Sequence, residues 1–336
     1  MDLAWEILHD IKEGSAKPID WKRRKMVSLR LAHAYKRIGN PKAGRMFECG
    51  GYLEFKRFNI DNSLRLKTGY FCQVRLCPLC NWRRSRKMFA QISKIMADME
   101  NYEYVFLTLT CLSVEGADLD NEINKLFKAF KLLCLRKRFK DAVHGWVKCF
   151  EVTFNWAKME YHPHFHCVLA VKEAYFTSDL YIKQDEWCQL WRECMDVDYI
   201  PVVDVRKLEA SEKGSGKEVA EVAKYAVKSA TVMADLRGVS DFSQEIQDEA
   251  KKISDRITDE VVATLDLALK NRRLIGYGGI FKDKHRKLNL NSDDTDLIHA
   301  GDSEERKEDM YTIEAHRWTV DKMNYFRHEQ SESGDL

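Results

Sequence analysis

Alternating histidines and one tyrosine further along the chain are the residues whose types and spacing could do chemistry together. His162, His164 and His166 occur in the segment HPHFHCVLAV. Alternate side chains of a β-strand share a face, so a strand over 164–171 places His164 and His166 about 7 Å apart on one face. Two neutral imidazoles in that position can chelate a divalent ion and leave room for a carboxylate, water and substrate oxygens.

A carboxylate on the preceding predicted strand is the candidate third ligand. Glu151 lies within the apolar run GWVKCFEVTF, residues 145–154, where a buried acid is costly unless it pairs or binds metal. If the two strands are antiparallel neighbours, Glu151 completes the site. Pro163 interrupts the strand pattern beside His162, which we expect to support a ligand or contact substrate instead. Two histidines in an ordinary hydrogen-bond network remain the alternative.

The tyrosine lies in a segment with strong helical periodicity, residues 218–234. Its apolar residues fall on one side of a predicted helix, and Glu221, Tyr225 and Lys228 fall on another stripe as surface neighbours. A tyrosine hydroxyl can attack phosphorus. Lys228 can favour the phenolate or stabilise developing charge, and Glu221 can act as a general base. The alternative is an exposed stripe of ordinary salt-bridging residues.

Four of the ten cysteines crowd into residues 49–80. Cys77 and Cys80 form a C-x2-C knuckle, Cys72 lies five residues before it, and Cys49 lies 23 residues before Cys72. Four thiolates can satisfy tetrahedral Zn²⁺, so we predict a structural zinc site; reduced buried cysteines are the alternative. The other six are expected to be small buried hydrophobes: Cys111, Cys134, Cys149, Cys167, Cys188 and Cys194.

A basic run follows the knuckle at once. On a helix, Arg83, Arg84, Arg86 and Lys87 make a basic edge suited to DNA phosphates, unless they form a solvated charged helix. The net charge of +2 conceals a wider asymmetry, because residues 291–336 contain 13 acids and 5 bases. The remaining body is therefore basic, which suits a polyanionic partner.

Composition narrows the class of protein. No stretch approaches the 18 uninterrupted apolar residues of a membrane span, and the first residues lack the apolar region of a signal peptide, so a cytoplasmic protein is expected. Strand and helix patterns alternate as strand–helix–strand–strand–helix–strand–helix. This order predicts an α+β fold with a central, largely antiparallel sheet flanked by helices and an N-terminal cysteine-rich zinc-binding region.

Taken in order, these segments resemble the rolling-circle plasmid replication initiators of the HUH endonuclease superfamily, in the group with one catalytic tyrosine. The resemblance spans roughly residues 20–285, with a weaker similarity at Trp318 to Phe326. Five ordered blocks carry it: FCQVRLCPLCNWRRSRK (71–87), FLTLT (106–110), HPHFHCVLAV (162–171), EVAKYAVKS (221–229) and RRLIGYGGIF (272–281).

The resemblance implies a mechanism. Such proteins recognise a double-strand origin and act on a site exposed as single-stranded DNA, where a tyrosine forms a 5′-phosphotyrosine link and leaves a 3′-OH primer. By motif, Tyr225 is the nucleophile, and His164 and His166 bind Mg²⁺ or Mn²⁺. Strand adjacency and the similar block EVTFN (151–155) suggest Glu151 as the third ligand.

The same resemblance assigns Glu221 to activating water for the terminating cleavage and Lys228 to assisting at the phosphate. His162 departs from the family pattern, which leaves the ligand set slightly open. The implied partners are plasmid origin DNA, as duplex and as single-stranded nick site, together with a host helicase and polymerase, and no membrane.

The predicted domains follow the same blocks. We expect a helical, basic region with a four-cysteine zinc site over 1–98, an RRM-like HUH nicking domain over 99–235, a helix and strand extension over 236–290, and an acidic, partly disordered tail over 291–336. Two alternatives remain. One is an HUH transposase or relaxase, and the other is a zinc-stabilised DNA-binding regulator without catalysis.

Overall fold

Two compact units make up the chain, residues 1–83 with 294–336 and residues 84–293. Each contains a largely antiparallel sheet flanked by helices, which confirms the predicted α+β class. The structure is a computed structural model. It describes residues 7–10, 19–208, 219, 226–227, 232, 243–290, 297 and 310–328.

Helices and strands of the described residues fall as follows. The first unit holds α1 (Trp21–Arg37), α2 (Lys42–Glu48), β1 (Tyr52–Phe58), β2 (Leu64–Gly69) and the first turns of α3 (Pro78–Ala97). The second holds the rest of α3, β3 (Tyr102–Thr110), α4 (Leu119–Leu135), α5 (Lys137–Ala142), β4 (Gly145–Asn155), β5 (Glu160–Lys172), α6 (Gln184–Met195), β6 (Val203–Lys207), β7 (Ala226–Val227), α7 (Gln244–Ala268), β8 (Ile275–Gly279) and α8 (Ile280–Lys287). Strands β9 (Tyr311–Thr319) and β10 (Asn324–Arg327) return to the first unit.

The sheet of the first unit has the order β10-β9-β1-β2. Strand β1 pairs antiparallel with β2 and, along its whole length, with β9. This long-range pairing was not indicated by the sequence pattern. Residues 45–58 alternate in polarity and contain Gly50 and Gly51, a pattern that predicts short strands and a turn. The first part of this prediction is wrong, because α2 extends to Glu48 and buries Ala43 and Met46 at helical spacing.

The sheet of the second unit has the order β6-β3-β5-β4-β7, with β8 also paired to β4. One of its faces packs against α3 and α8 in a core that includes Ile92, Phe106 and Phe281. The other face packs Phe150 and Phe165 against aromatic rings of α4. Strand β5 is therefore buried on both faces, and its regular extended backbone can position polar side chains inside a rigid sheet.

Two local expectations are corrected in this unit. Ala226 and Val227 form a short parallel pairing with β4, so the helix predicted over 218–234 is not continuous; pairing to the open edge of β4 overrides the helical pattern. The glycine-containing segment LIGYGGIFK (274–282) predicts a turn between strands, but strand β8 runs directly into α8. At the junction Gly279 has φ +53°, and a Cβ there would lie 2.1 Å from the carbonyl oxygen of His144.

Membrane crossing can be assessed for the helices within the described ranges. None of them is both long enough and apolar enough to span a bilayer.

Candidate metal centres and the family of the chain

Strands β4 and β5 are antiparallel neighbours in a register that sets Glu151 opposite His164. The Nε2 atoms of His164 and His166 are 3.1 Å apart. The Oε2 atom of Glu151 lies 3.3 Å from Nε2 of His166 and 3.6 Å from Nε2 of His164. All three side chains are buried, with at most 6% of each residue exposed. The structure thus brings the three candidate ligands to one point.

Hydrogen bonds to the far ring nitrogens orient both imidazoles. Nδ1 of His164 lies 3.0 Å from the carbonyl oxygen of His162, and that oxygen can only accept. Nδ1 of His166 lies 3.2 Å from the hydroxyl of Thr108 on β3. With both protons on Nδ1, the two Nε2 lone pairs face each other and the carboxylate of Glu151. Such an arrangement is stabilised by a cation between them.

The donor set suits a divalent ion. Ligand bonds of about 2.1 Å to one ion separate the ligand atoms by roughly 3.0–3.4 Å, close to the observed 3.1, 3.3 and 3.6 Å. Two imidazoles and one carboxylate leave coordination positions for water or substrate oxygens. This is the composition expected of a catalytic centre that must accept a substrate.

His162 lies beside this cluster. Its Nδ1 is 3.4 Å from the hydroxyl of Ser113, and its ring centroid is 5.2 Å from that of His164. Burial, with a smaller contribution from His164, lowers the pKa of His162 to about 4. A neutral imidazole beside the cluster does not add positive charge at physiological pH.

The second cluster belongs to the first unit and contains four buried cysteines. The Sγ atom of Cys49 lies 3.6 Å from those of Cys77 and Cys80, and Sγ of Cys72 lies 3.6 Å from Sγ of Cys80. All four are free thiols. Four Zn–S bonds of about 2.3 Å in a tetrahedron place sulfurs about 3.8 Å apart, so the cluster fits a tetrahedral metal site.

Polar groups around the sulfurs favour a thiolate at Cys77. The hydroxyl of Ser28 lies 3.3 Å from Sγ of Cys77, and the backbone N–H of Cys72 donates to Sγ of Cys49 at 3.4 Å. Burial acts to raise the pKa of Cys77, but hydrogen bonds from the neighbouring thiols and Ser28 outweigh it and lower that pKa. The ammonium of Lys25, itself buried, donates to the carbonyl of Cys49 at 2.7 Å. It places a positive charge beside a cluster that would be doubly negative with zinc bound.

The predicted basic edge after the knuckle is only partly exposed. Arg83 and Arg84 are 4% and 6% exposed, and the Nε atom of Arg83 donates to the carbonyl oxygen of Leu297 within the first unit. Arg86 and Lys87 are half-buried. Arg86 and Lys87 are therefore the residues of this run that are more accessible to DNA phosphates.

The three residues of the tyrosine motif, Glu221, Tyr225 and Lys228, lie outside the described residues. Residues 226–227, which lie between Tyr225 and Lys228 in the sequence, are described and pair with strand β4. Ala226, which directly follows Tyr225 in the sequence, pairs with Glu151, and Val227 pairs with Val152.

Thr108 is a polar neighbour of the site that the sequence reasoning did not single out. It lies in the block FLTLT and pairs with His166 across β3 and β5. In the sequence, Thr108 and Thr110 alternate with the apolar residues of this strand, which places both threonines on one face of it. That signal becomes specific only when the neighbouring strand is known.

Six cysteines lie outside the cluster. Four of them are buried: Cys111, Cys149, Cys167 and Cys194. The other two, Cys134 and Cys188, are half-buried.

Comparisons with known proteins converge on one family. A family model described as "Replication protein" matches residues 63–326. A Bacillus amyloliquefaciens protein named "Protein rep" is 39% identical, with 85% of this chain and 86% of that protein covered. Proteins of the same name from Streptococcus pneumoniae serotype 2 and Lactiplantibacillus plantarum are 34% and 35% identical, with 94% and 96% of this chain and 94% and 99% of those proteins covered.

No solved structure matches the chain. The family match nevertheless covers the tyrosine motif, the cluster of Glu151, His164 and His166, and three of the four clustered cysteines, whereas Cys49 lies before residue 63. The resemblance drawn from the ordered motifs is confirmed at the level of the family. The chain belongs to the replication protein family.

Proposed function

We propose that this protein initiates plasmid replication in the cytoplasm by nicking one strand of origin DNA, with Tyr225 as the nucleophile. The observation that supports this most directly is the pairing of Ala226 with Glu151. The residue after the proposed nucleophile is thus paired with the strand that carries a candidate metal ligand. Neither the histidine cluster nor the tyrosine motif alone distinguishes a nuclease from an ordinary polar network.

In the proposed reaction, the Tyr225 oxygen forms a bond to phosphorus and the bond from phosphorus to the 3′ oxygen breaks. The products are a 5′-phosphotyrosine and a free 3′-OH that serves as primer. A Mg²⁺ or Mn²⁺ ion held by Glu151, His164 and His166 would polarise the scissile phosphate. Lys228 stabilises charge at the phosphate. Glu221 accepts a proton from water in the terminating cleavage.

The proposed partners are plasmid origin DNA, both as duplex and as a single-stranded nick site, with a host helicase and polymerase acting after the nick. The four cysteines of the first unit would hold a structural Zn²⁺. Family membership favours replication over transposition or conjugation as the process served.

The test is nicking of a supercoiled plasmid that carries the cognate origin, in the presence of Mn²⁺. Wild-type protein should convert the supercoiled plasmid to the open circular form. In a second assay, an oligonucleotide that contains the nick site is labelled at its 3′ end. Wild-type protein should become covalently attached to the labelled strand downstream of the nick. Tyr225→Phe, which removes one oxygen, should lose both signals by about three orders of magnitude or more. Tyr181→Phe on another part of the second unit is the matched control and should nick normally.

Two outcomes would refute the proposal. Equal nicking by Tyr225→Phe would show that another group attacks the phosphate. An origin plasmid left intact by wild-type protein, although bound, would instead identify a DNA-binding regulator without catalysis.

A further inference from the structure

A pocket of about 600 Å³ opens in the first unit, which does not contain the histidine cluster. Its volume lies within the range of ligand pockets, about 300–1,000 Å³. Four of the residues that line it are aromatic: Phe47, Tyr52, Tyr70 and Trp318.

Two of these rings are held in fixed positions. The hydroxyl of Tyr52 donates to Glu54 at 2.6 Å. Trp318 packs its ring edge-on against Tyr325, with centroids 5.0 Å apart, and its backbone N–H donates to the carbonyl of Gly51. Tyr70, in contrast, is 46% exposed. Fixed rings beside an exposed one are suited to receive a planar aromatic ligand at little entropic cost.

Charged groups complete the lining. Arg317 and Glu48 line the same pocket. A guanidinium can pair with a phosphate or with base acceptors, and a carboxylate can accept hydrogen bonds from an exocyclic amine. Buried Lys25 also lines the pocket. Aromatic rings, two cations and one carboxylate together match the chemistry of a nucleotide, whose base stacks and whose phosphate is negative.

We propose that this pocket binds one unpaired nucleobase of a DNA strand, with the adjoining phosphate at Arg317. The inference rests on the proposed role in replication, and it concerns recognition by the first unit rather than the nicking chemistry. DNA is favoured over a free nucleotide because the chain belongs to the replication protein family.

The cysteine cluster is connected to this pocket. The ammonium of Lys25 donates to the carbonyls of Phe47 and Cys49, each at 2.7 Å. Phe47 is a wall of the pocket and Cys49 is a candidate zinc ligand, so one buried cation fixes both. A zinc ion held by the four cysteines would thereby keep the wall in place, and base binding should require zinc.

The experiment uses full-length protein and single-stranded oligonucleotides with one 2-aminopurine, whose fluorescence is quenched on stacking. Tyr70→Leu should weaken binding by about 5- to 100-fold. Arg317→Gln should weaken it by about tenfold and reduce the salt dependence by about one ion. The matched controls Tyr311→Leu and Arg23→Gln, exposed residues of the same unit outside the pocket, should bind as wild type. Unchanged oligonucleotide binding by both pocket variants would overturn the proposal.

Two further arms separate the sources of the ligand and guard against misfolded variants. The four deoxynucleoside monophosphates are titrated alone, and tighter binding of any of them than of the oligonucleotides would assign the pocket to a free nucleotide instead. Oligonucleotides carrying 5-iododeoxyuridine are photocrosslinked to wild-type protein. Crosslinks mapped to Tyr52, Tyr70 or Trp318 support the proposal, and crosslinks only outside the first unit refute it.

Plasmid nicking is measured on the same preparations. Nicking that depends on Tyr225, together with no stacking at the pocket, would reject this inference and leave the proposed nickase intact. Stacking at the pocket without any nicking would support this inference and reject the proposed nickase.

Discussion

The two buried ligand clusters differ in number, chemistry and openness. The cysteine cluster offers four sulfurs at tetrahedral spacing, all enclosed by the first unit. The cluster of β4 and β5 offers two nitrogens and one carboxylate oxygen, which leave positions open. Closed four-sulfur sites hold domains together, whereas sites with three protein ligands carry chemistry. The comparison indicates that ligand number and ligand type together would distinguish a structural metal site from one that can accept a substrate.

The largest expected effect comes from breaking the closed site. Cys77→Ser should abolish zinc retention and unfold the first unit, because structural zinc contributes on the order of 10 kcal/mol in small zinc-dependent domains. Metal analysis gives the zinc content, and hydrogen exchange compares protection over residues 19–83 with that over 84–208. Cys188→Ser, a half-buried cysteine outside the cluster, is the control and should retain zinc. Full zinc content and unchanged protection in Cys77→Ser would remove the distinction between the two clusters.

The open site should respond in the opposite way. His166→Leu should weaken Mn²⁺ binding by more than about 100-fold, roughly 3 kcal/mol, while the metal-free protein keeps its folding stability, since an apolar side chain of similar size replaces a buried polar one. Calorimetric titration with Mn²⁺ and thermal unfolding measure the two quantities. His162→Ala is the neighbour control and should bind Mn²⁺ nearly as wild type. A large loss of stability in metal-free His166→Leu would make this cluster structural as well.

Buried Lys148 sharpens the comparison because none of its contacts given for the described residues is to a carboxylate. Nζ of Lys148 lies 4.1–4.6 Å from the ring centroids of Phe127, Phe130 and Phe165 on the other face of the same sheet. Burial lowers its pKa to about 8. The rings stabilise its charge only in part.

Lys148→Met should therefore raise the free energy of unfolding by about 1–3 kcal/mol near neutral pH. The sign follows from the lowered pKa: as pH falls from the ordinary value of 10.5 towards 8, the unfolded chain takes up the proton first and the wild-type fold loses stability. The gain should be full below about pH 8 and disappear near pH 10.5. Denaturant titrations across this range measure it, with exposed Lys140→Met as control. A destabilised Lys148→Met at neutral pH would contradict the assignment.

The smallest effects should come from groups that only orient ligands. Thr108→Val should weaken Mn²⁺ binding about tenfold and leave zinc unchanged, whereas Ser28→Ala should speed zinc loss to a chelator about tenfold and leave Mn²⁺ binding unchanged. Each variant serves as the other's control. If either substitution affected both metals equally, the two centres would not be independent.

Local pattern was sufficient for much of the second unit. The alternation in HPHFHCVLAV and in GWVKCFEVTF predicted β5 and β4 within a few residues, and it placed the histidines on one face because a strand has a strict period of two. Periodicity was misleading at residues 226–227, where pairing with β4 replaces the expected helix. A short run of small and β-branched residues suits either structure, so the open edge of a neighbouring strand decides.

The sequence by itself determined the types of the ligands, their order along the chain and the family. The alternate spacing of the histidines, the spacing of the cysteines and the tyrosine motif are all local features of the chain, so they can be recognised without the fold. Tertiary structure alone decided which residues meet. The register of β4 and β5 brings Glu151 to His164, β3 brings Thr108 to His166, and β9 returns from the far end of the chain to line the aromatic pocket of the first unit. Such pairings join segments distant in sequence, and their energies come from burial and hydrogen bonding across strands that no local pattern encodes.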